Sequence, residues 1–71
     1  MSTVVGNNVR TLRESRGLSF EDLARRAGMT KSGVWMIEQG KSSPTMTSLE
    51  KIARALSTPV SELVREDAVT Q

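Results

Sequence analysis

The sequence has 71 residues, a quarter of them charged, with a net charge of +2 and neither cysteine nor histidine. That leaves room for one small domain, which on folding buries only about 60% of the surface its unfolded chain exposes. Without cysteine there are no disulfides or thiolate metal sites, and without histidine the commonest metal ligand and general base is missing, so neither an enzyme nor a cofactor is expected. The first residues lack the basic segment of a secretion signal, and no apolar run approaches the ~20 residues of a membrane span. A soluble cytoplasmic protein with no membrane partner is the expectation.

Residues 1 to 4 are small, polar or β-branched and are expected to be flexible, with Ser2 or Thr3 available as a cap for the first helix. That helix is predicted from residue 5 to about residue 16. Val5, Val9 and Leu12 recur at i, i+4 and i+7 as its inward stripe, and Gly17 stands where a glycine commonly ends a helix. Arg10 lies off that stripe and reads as a solvated charge or a phosphate contact.

Leu18 is a buried connector. Ser19 is a good N-cap for a second helix, with Glu21 and Asp22 in its first turn and Arg25 and Arg26 in its last, as the helix dipole favours. Gly28 ends it, Met29 turns into the core, and Thr30 caps a third helix of about nine residues that stops at Gly40 and the 41–44 segment. The spacing of small Ala24, Gly28, β-branched Val34 and Ile37 is that of two short helices crossing closely around a tight turn. Val34 and Ile37 face inward, onto the first, second and fourth helices. Lys31, Ser32, Trp35, Met36 and Gln39 are left on the outer face, and a polar, adaptable face of this kind suits the reading of DNA bases.

Thr45 or Thr47 caps a fourth helix whose buried stripe is expected to be Met46, Leu49, Ile52, Ala53 and Leu56, until Ser57, Thr58 and Pro59 break it. A short fifth helix over 60–66 carries Val60, Leu63 and Val64, and 67–71 reads as a flexible tail. The result is a compact all-α domain of five helices over 5–66, with a helix-turn-helix at the second and third. Charge is uneven along it: residues 10 to 41 carry +3 and residues 42 to 71 carry −1. The helix-turn-helix half is therefore the one suited to face a polyanion.

Beyond that spacing stand Leu12-Arg13-Glu14 before Gly17-Leu18-Ser19, then Ile37-Glu38-Gln39-Gly40-Lys41, and Pro44-Thr45 leading into Leu49-Glu50-Lys51-Ile52-Ala53-Arg54-Ala55-Leu56. With these segments in this order, the chain resembles the lambda-repressor-like, XRE-type helix-turn-helix domains over roughly residues 5 to 64. The resemblance implies a third helix lying in the major groove and a homodimer on a roughly palindromic double-stranded DNA operator. It places Lys31, Ser32 and Met36 at base edges, Thr30, Gln39 and Lys41 at phosphates, and Arg13 with Glu38 in a partly buried ion pair. Arg10, Ser19 and Phe20 are further candidates for the DNA backbone, and Val60 and Val64 for the dimer interface. No small-molecule ligand is implied, and regulation by protein concentration is the expectation.

Two residues depart from the family pattern. Phe20 stands where glutamine is frequent, and Trp35 where a small or polar residue is common. One reading folds Trp35 over the 42–44 loop and lays Phe20 against the stem of Lys31; the other has them touch sugars or thymine methyls, with Trp35 a base contact. An alternative function is a protein-binding regulatory module, antitoxin-like or controller-like, with these two aromatics as anchors.

Overall fold

Five stretches become helices in the computed structural model, which describes residues 2 to 66: α1 (Ser2–Ser15), α2 (Phe20–Ala27), α3 (Lys31–Glu38), α4 (Met46–Ala55) and α5 (Val60–Leu63). Met1 and the tail predicted over 67–71 lie outside the described residues. The domain is all-α, as its periodicity indicates.

The caps show why these residues start where they do. Ser19 Oγ accepts the Asp22 amide at 3.0 Å while the Asp22 carboxylate accepts the Ser19 amide at 3.0 Å, a reciprocal capping box that fixes the start of α2. Thr30 Oγ1 accepts the Gly33 amide at 2.9 Å to start α3, and Thr45 Oγ1 accepts the Ser48 amide at 3.1 Å to start α4. Of the two candidate caps for α4, Thr45 is therefore the one in use. Between α2 and α3, Gly28 has φ 69° and ψ 34°, a left-handed conformation that a Cβ disfavours; it lets the Met29 amide reach back to the Ala24 carbonyl at 2.8 Å.

The core is made of Val9, Leu18, Leu23, Ala24, Ala27, Val34, Ile37, Leu49, Ile52, Ala53, Leu56 and Leu63, with Val5, Leu12, Phe20, Met29 and Val60 partly buried against it. The short helix α3 is clasped between α1 and α2; α4 packs chiefly on α2 and α5, and α5 closes against α1. An eight-residue helix has no independent stability in water, so its shape and direction are set by α1 and α2. The fourth helix supports it mainly through α2, not as one of three equal neighbours.

Two boundaries and one buried position differ from expectation. The first helix begins at Ser2, not residue 5, because its first turn is seated on the C-terminal end of α3: a Cβ built on Gly40 would lie 3.3 Å from Thr3 Oγ1. The fifth helix stops at Leu63 instead of continuing to 66. Asn8 Nδ2 donates to the carbonyls of Leu63 at 2.9 Å and Arg65 at 2.8 Å, drawing the chain onto α1 and taking the Leu63 carbonyl a further helical turn would use. Met46, expected in the buried stripe, is 61% exposed. With Thr45 as cap it is the first residue of α4, one turn before the core begins at Leu49.

The end of α4 holds one strained residue. Ser57 has φ 56° at a helix terminus, closed by the Thr58 amide on the Ala53 carbonyl at 2.9 Å and the Ser57 amide on Arg54 at 3.1 Å. Ser57→Gly relieves the Cβ clash of this conformation and should raise unfolding free energy by about 1 kcal/mol at most, part of the gain being offset by the freer unfolded chain. Thermal unfolding followed by circular dichroism checks it as a small rise in Tm.

Candidate nucleic-acid interface

The site is built on α3. Val34, Ile37 and Glu38 are buried, while Lys31, Ser32, Trp35, Met36 and Gln39 are all exposed. Their spacing (i, i+1, i+4, i+5, i+8) puts them on one face, continued at the C-terminal end by exposed Lys41. Trp35 is 40% exposed and Met36 36%, so this face mixes one cation, hydroxyl and amide groups with two large apolar surfaces. Thr30 caps the N-terminus of the same helix, where unpaired backbone amides and the positive end of the dipole suit a phosphate oxygen.

Beneath this face lies an ion pair. The Glu38 side chain is fully buried; its Oε2 accepts Arg13 Nε at 2.7 Å and its Oε1 accepts Arg13 Nη2 at 3.1 Å, a bidentate arrangement joining α1 to the end of α3. Arg13 Nη1 donates to the Leu18 carbonyl at 2.7 Å, so the guanidinium also ties down the connector before α2. The hydrogen bonds Arg13 donates to Glu38, and to a lesser degree the charge of that carboxylate, raise the Arg13 pKa further, keeping the guanidinium charged although burial opposes it.

Phe20 completes this arrangement. The Arg13 guanidinium carbon lies 4.3 Å from the centroid of its ring, a cation–π contact, and the ring is half-buried against the core. Phe20 thus packs under Arg13, and it belongs to the inward-facing set with Leu23, Ala24 and Ala27 at i+3, i+4 and i+7. Arg10 is also drawn in: its Nε lies 3.6 Å from Glu38 Oε1 and its Nη2 donates to the Glu38 carbonyl at 3.4 Å, with 41% of the side chain still exposed. It is therefore not a freely solvated charge.

Ser19 lies at the start of α2 with its hydroxyl oxygen engaged as the cap. The carboxyl of its partner Asp22 is held below the usual carboxylate range, first by the Ser19 backbone amide and then by the Ser19 hydroxyl. Far from α3 in sequence, Val60 is half-buried against the core and Val64 is 46% exposed. Val64 borders an apolar groove also lined by Val4, Val5, Pro44 and Leu49.

Sequence reasoning missed two residues here. Asn8 holds the end of α5 through its two carbonyl contacts. Gly6 is buried in mid-helix, and a Cβ there would stand 2.5 Å from the Ile37 carbonyl oxygen and 2.7 Å from that of Glu38. A glycine inside an amphipathic helix costs about 1 kcal/mol relative to alanine, which was the available signal that another backbone passes close by.

Two short helices around a glycine turn, with the second presenting a polar outer face and held from behind, define a helix-turn-helix DNA-binding domain. The family model described as "Helix-turn-helix domain" matches residues 5–65. The chain is 34% identical over 64 residues to the HTH-type transcriptional regulator SutR of Escherichia coli K12, covering 90% of this chain and 36% of that protein. It is 32% identical over 65 residues to the immunity repressor protein of Bacillus phage phi105, covering 92% of this chain and 45% of the repressor. The chain thus spans less than half the length of these two regulators. Among solved structures, the restriction-modification controller protein C.AhdI from Aeromonas hydrophila superposes with a TM-score of 0.85 at 34% identity, covering 87% of this chain and 94% of the controller. The protein belongs to the lambda-repressor-like, XRE-type helix-turn-helix family of DNA-binding transcription regulators. No helix among the described residues is long and apolar enough to cross a membrane.

Proposed function

We propose that the chain is a repressor-type regulator that binds a roughly palindromic operator as a homodimer, with α3 in the major groove of each half-site. The observation that carries this reading is the outer face of α3: five side chains on one side of a short helix, all exposed, above a backing that is fully packed. In it Lys31 donates to guanine O6 or N7, Ser32 donates or accepts at a base edge, and Met36 and Trp35 lie against thymine methyls or sugars. Thr30, Gln39 and Lys41 hold phosphates and set the register, with Ser19 flanking the same backbone. A second copy docks at the Val60–Val64 end, where exposed Val64 and the groove beside it supply apolar surface for an isologous contact.

Selection of binding sites from a random DNA pool tests all of this at once. The expected result is an enriched inverted repeat with half-site centres about 34 Å, or one turn, apart. An unenriched pool, with a stoichiometric protein partner co-purifying instead, would favour the protein-binding module. On the enriched site Lys31→Ala should relax preference at one base position by ~1–3 kcal/mol, whereas Lys41→Ala should weaken all sequences alike and lower the slope of log affinity against log salt by about one unit. Titration at several salt concentrations separates the two.

A further inference from the structure

The reading face of α3 is supported from behind by one line of residues on α1. Along α1, Thr3, Gly6, Arg10 and Arg13 recur at i, i+3, i+7 and i+10, a line beside the apolar stripe of Val5, Val9 and Leu12. Every member of that line meets the C-terminal end of α3 or the residues just after it. Thr3 lies against Gly40, Gly6 against the carbonyls of Ile37 and Glu38, Arg10 donates to the Glu38 carbonyl, and Arg13 holds the Glu38 carboxylate. The N-terminal end of α3 has a different anchor, the Thr30 cap following the Gly28 turn. Its two ends are thus positioned independently, the first by α2 and the second by α1.

We propose that Gly6 is a positioning residue for sequence reading: by letting α1 approach the Ile37 and Glu38 carbonyls without a Cβ between them, it sets how far the Trp35, Met36 and Gln39 end of α3 projects from the domain. This rests on α3 being the reading helix. The obstructing atoms are backbone, so a methyl at position 6 cannot be accommodated by turning a side chain. To move from 2.5 Å to ordinary contact, the end of α3 must shift by about 1 Å. Hydrogen bonds and methyl contacts at base edges lose most of their discrimination over such a distance, because both donor–acceptor length and angle leave their narrow range. Lys31 and Ser32, a turn or more away beside the Thr30 anchor, keep theirs.

The test compares selected-site profiles of the wild type, Gly6→Ala and Val9→Ala, all taken in the cold and confirmed folded by circular dichroism. Val9→Ala is the stability control: it opens the core on the same helix without approaching the α3 carbonyls. Met36→Ala and Lys31→Ala profiles mark which base columns each end of α3 reads. Gly6→Ala should lose about fivefold or more in preference at the Met36 columns and leave the Lys31 columns unchanged, fivefold being the low end of a base contact's worth. A Gly6→Ala profile matching those of the wild type and Val9→Ala overturns the proposal, while a wild type that enriches nothing overturns the α3 reading as well. If Gly6→Ala does not fold, Arg10→Met supplies the decision. An altered Met36 column with an unchanged salt slope supports positioning by this face of α1, and an intact profile with a slope lower by about one unit makes Arg10 a phosphate ligand and sinks it.

Discussion

Glu38→Ala should destabilise the domain by about 3–5 kcal/mol, the cost of breaking a buried ion pair from one side. Two arginines converge on the Glu38 carboxylate, and removing it leaves Arg13 nearly enclosed with only the Leu18 carbonyl as a strong partner. A domain of this size has a total stability near the lower end of about 5–15 kcal/mol, so the variant should be largely unfolded at physiological temperature. Arg13→Met tests the same pair from the other side. It leaves Glu38 with Arg10 at 3.6 Å but orphans the Leu18 carbonyl and removes the cation from the Phe20 ring. Replacing both partners with apolar groups should therefore recover only part of the loss, since the Leu18 carbonyl stays unpaired in the double variant too. Urea unfolding of the two single variants and the double variant measures the coupling. Midpoints within error of the wild type for Glu38→Ala would show that the pair contributes nothing net.

Most of the fold was legible because the periodicities and caps agree with each other. Ser19, Thr30 and Thr45 each cap a helix just before an apolar stripe begins, and Gly28 supplies the one backbone conformation the turn needs. What was not legible depends on contacts between elements distant in sequence. Nothing local to Asn8 indicates that its amide will hold the carbonyls of Leu63 and Arg65, where α5 ends. Met46 matches the stripe in period but lies a turn beyond the last layer of core, which periodicity cannot register.

Spacing alone marks the outer face of α3, and its five residues are indeed exposed. Phe20 was harder. It stands at i with buried Leu23, Ala24 and Ala27 at i+3, i+4 and i+7, so its phase points inward, but its cover by Arg13 reaching across from α1 depends on a contact distant in sequence. The same arginine serves Glu38, the Leu18 carbonyl and the Phe20 ring, so one residue links α1, the connector, α2 and α3. Phe20 thus answers to this link, whereas Trp35 remains exposed on the outer face of α3.

Leu63→Ala and Val64→Ala, adjacent in sequence, should separate folding from assembly. Leu63 is the one fully buried side chain of a four-residue helix that has no stability of its own, so its truncation should cost about 2–5 kcal/mol and release the end of the chain from α1 and α4. Amides that follow Pro59 should lose hydrogen-exchange protection first, because Asn8 cannot hold the Leu63 carbonyl once the leucine is unseated. Val64 is 46% exposed, and its truncation should change monomer stability by no more than about 0.5 kcal/mol. On the dimer reading, Val64→Ala should nevertheless weaken self-association seen by analytical ultracentrifugation and make binding to the inverted repeat less steep in protein concentration, with half-site affinity unchanged. Unaltered association in Val64→Ala would move the two-fold axis away from α5, whatever the outcome for Leu63→Ala. The contrast works because Asn8 holds the carbonyls of Leu63 and Arg65 on either side of exposed Val64, so on the dimer reading the segment that completes the monomer would also be the one that meets a second copy.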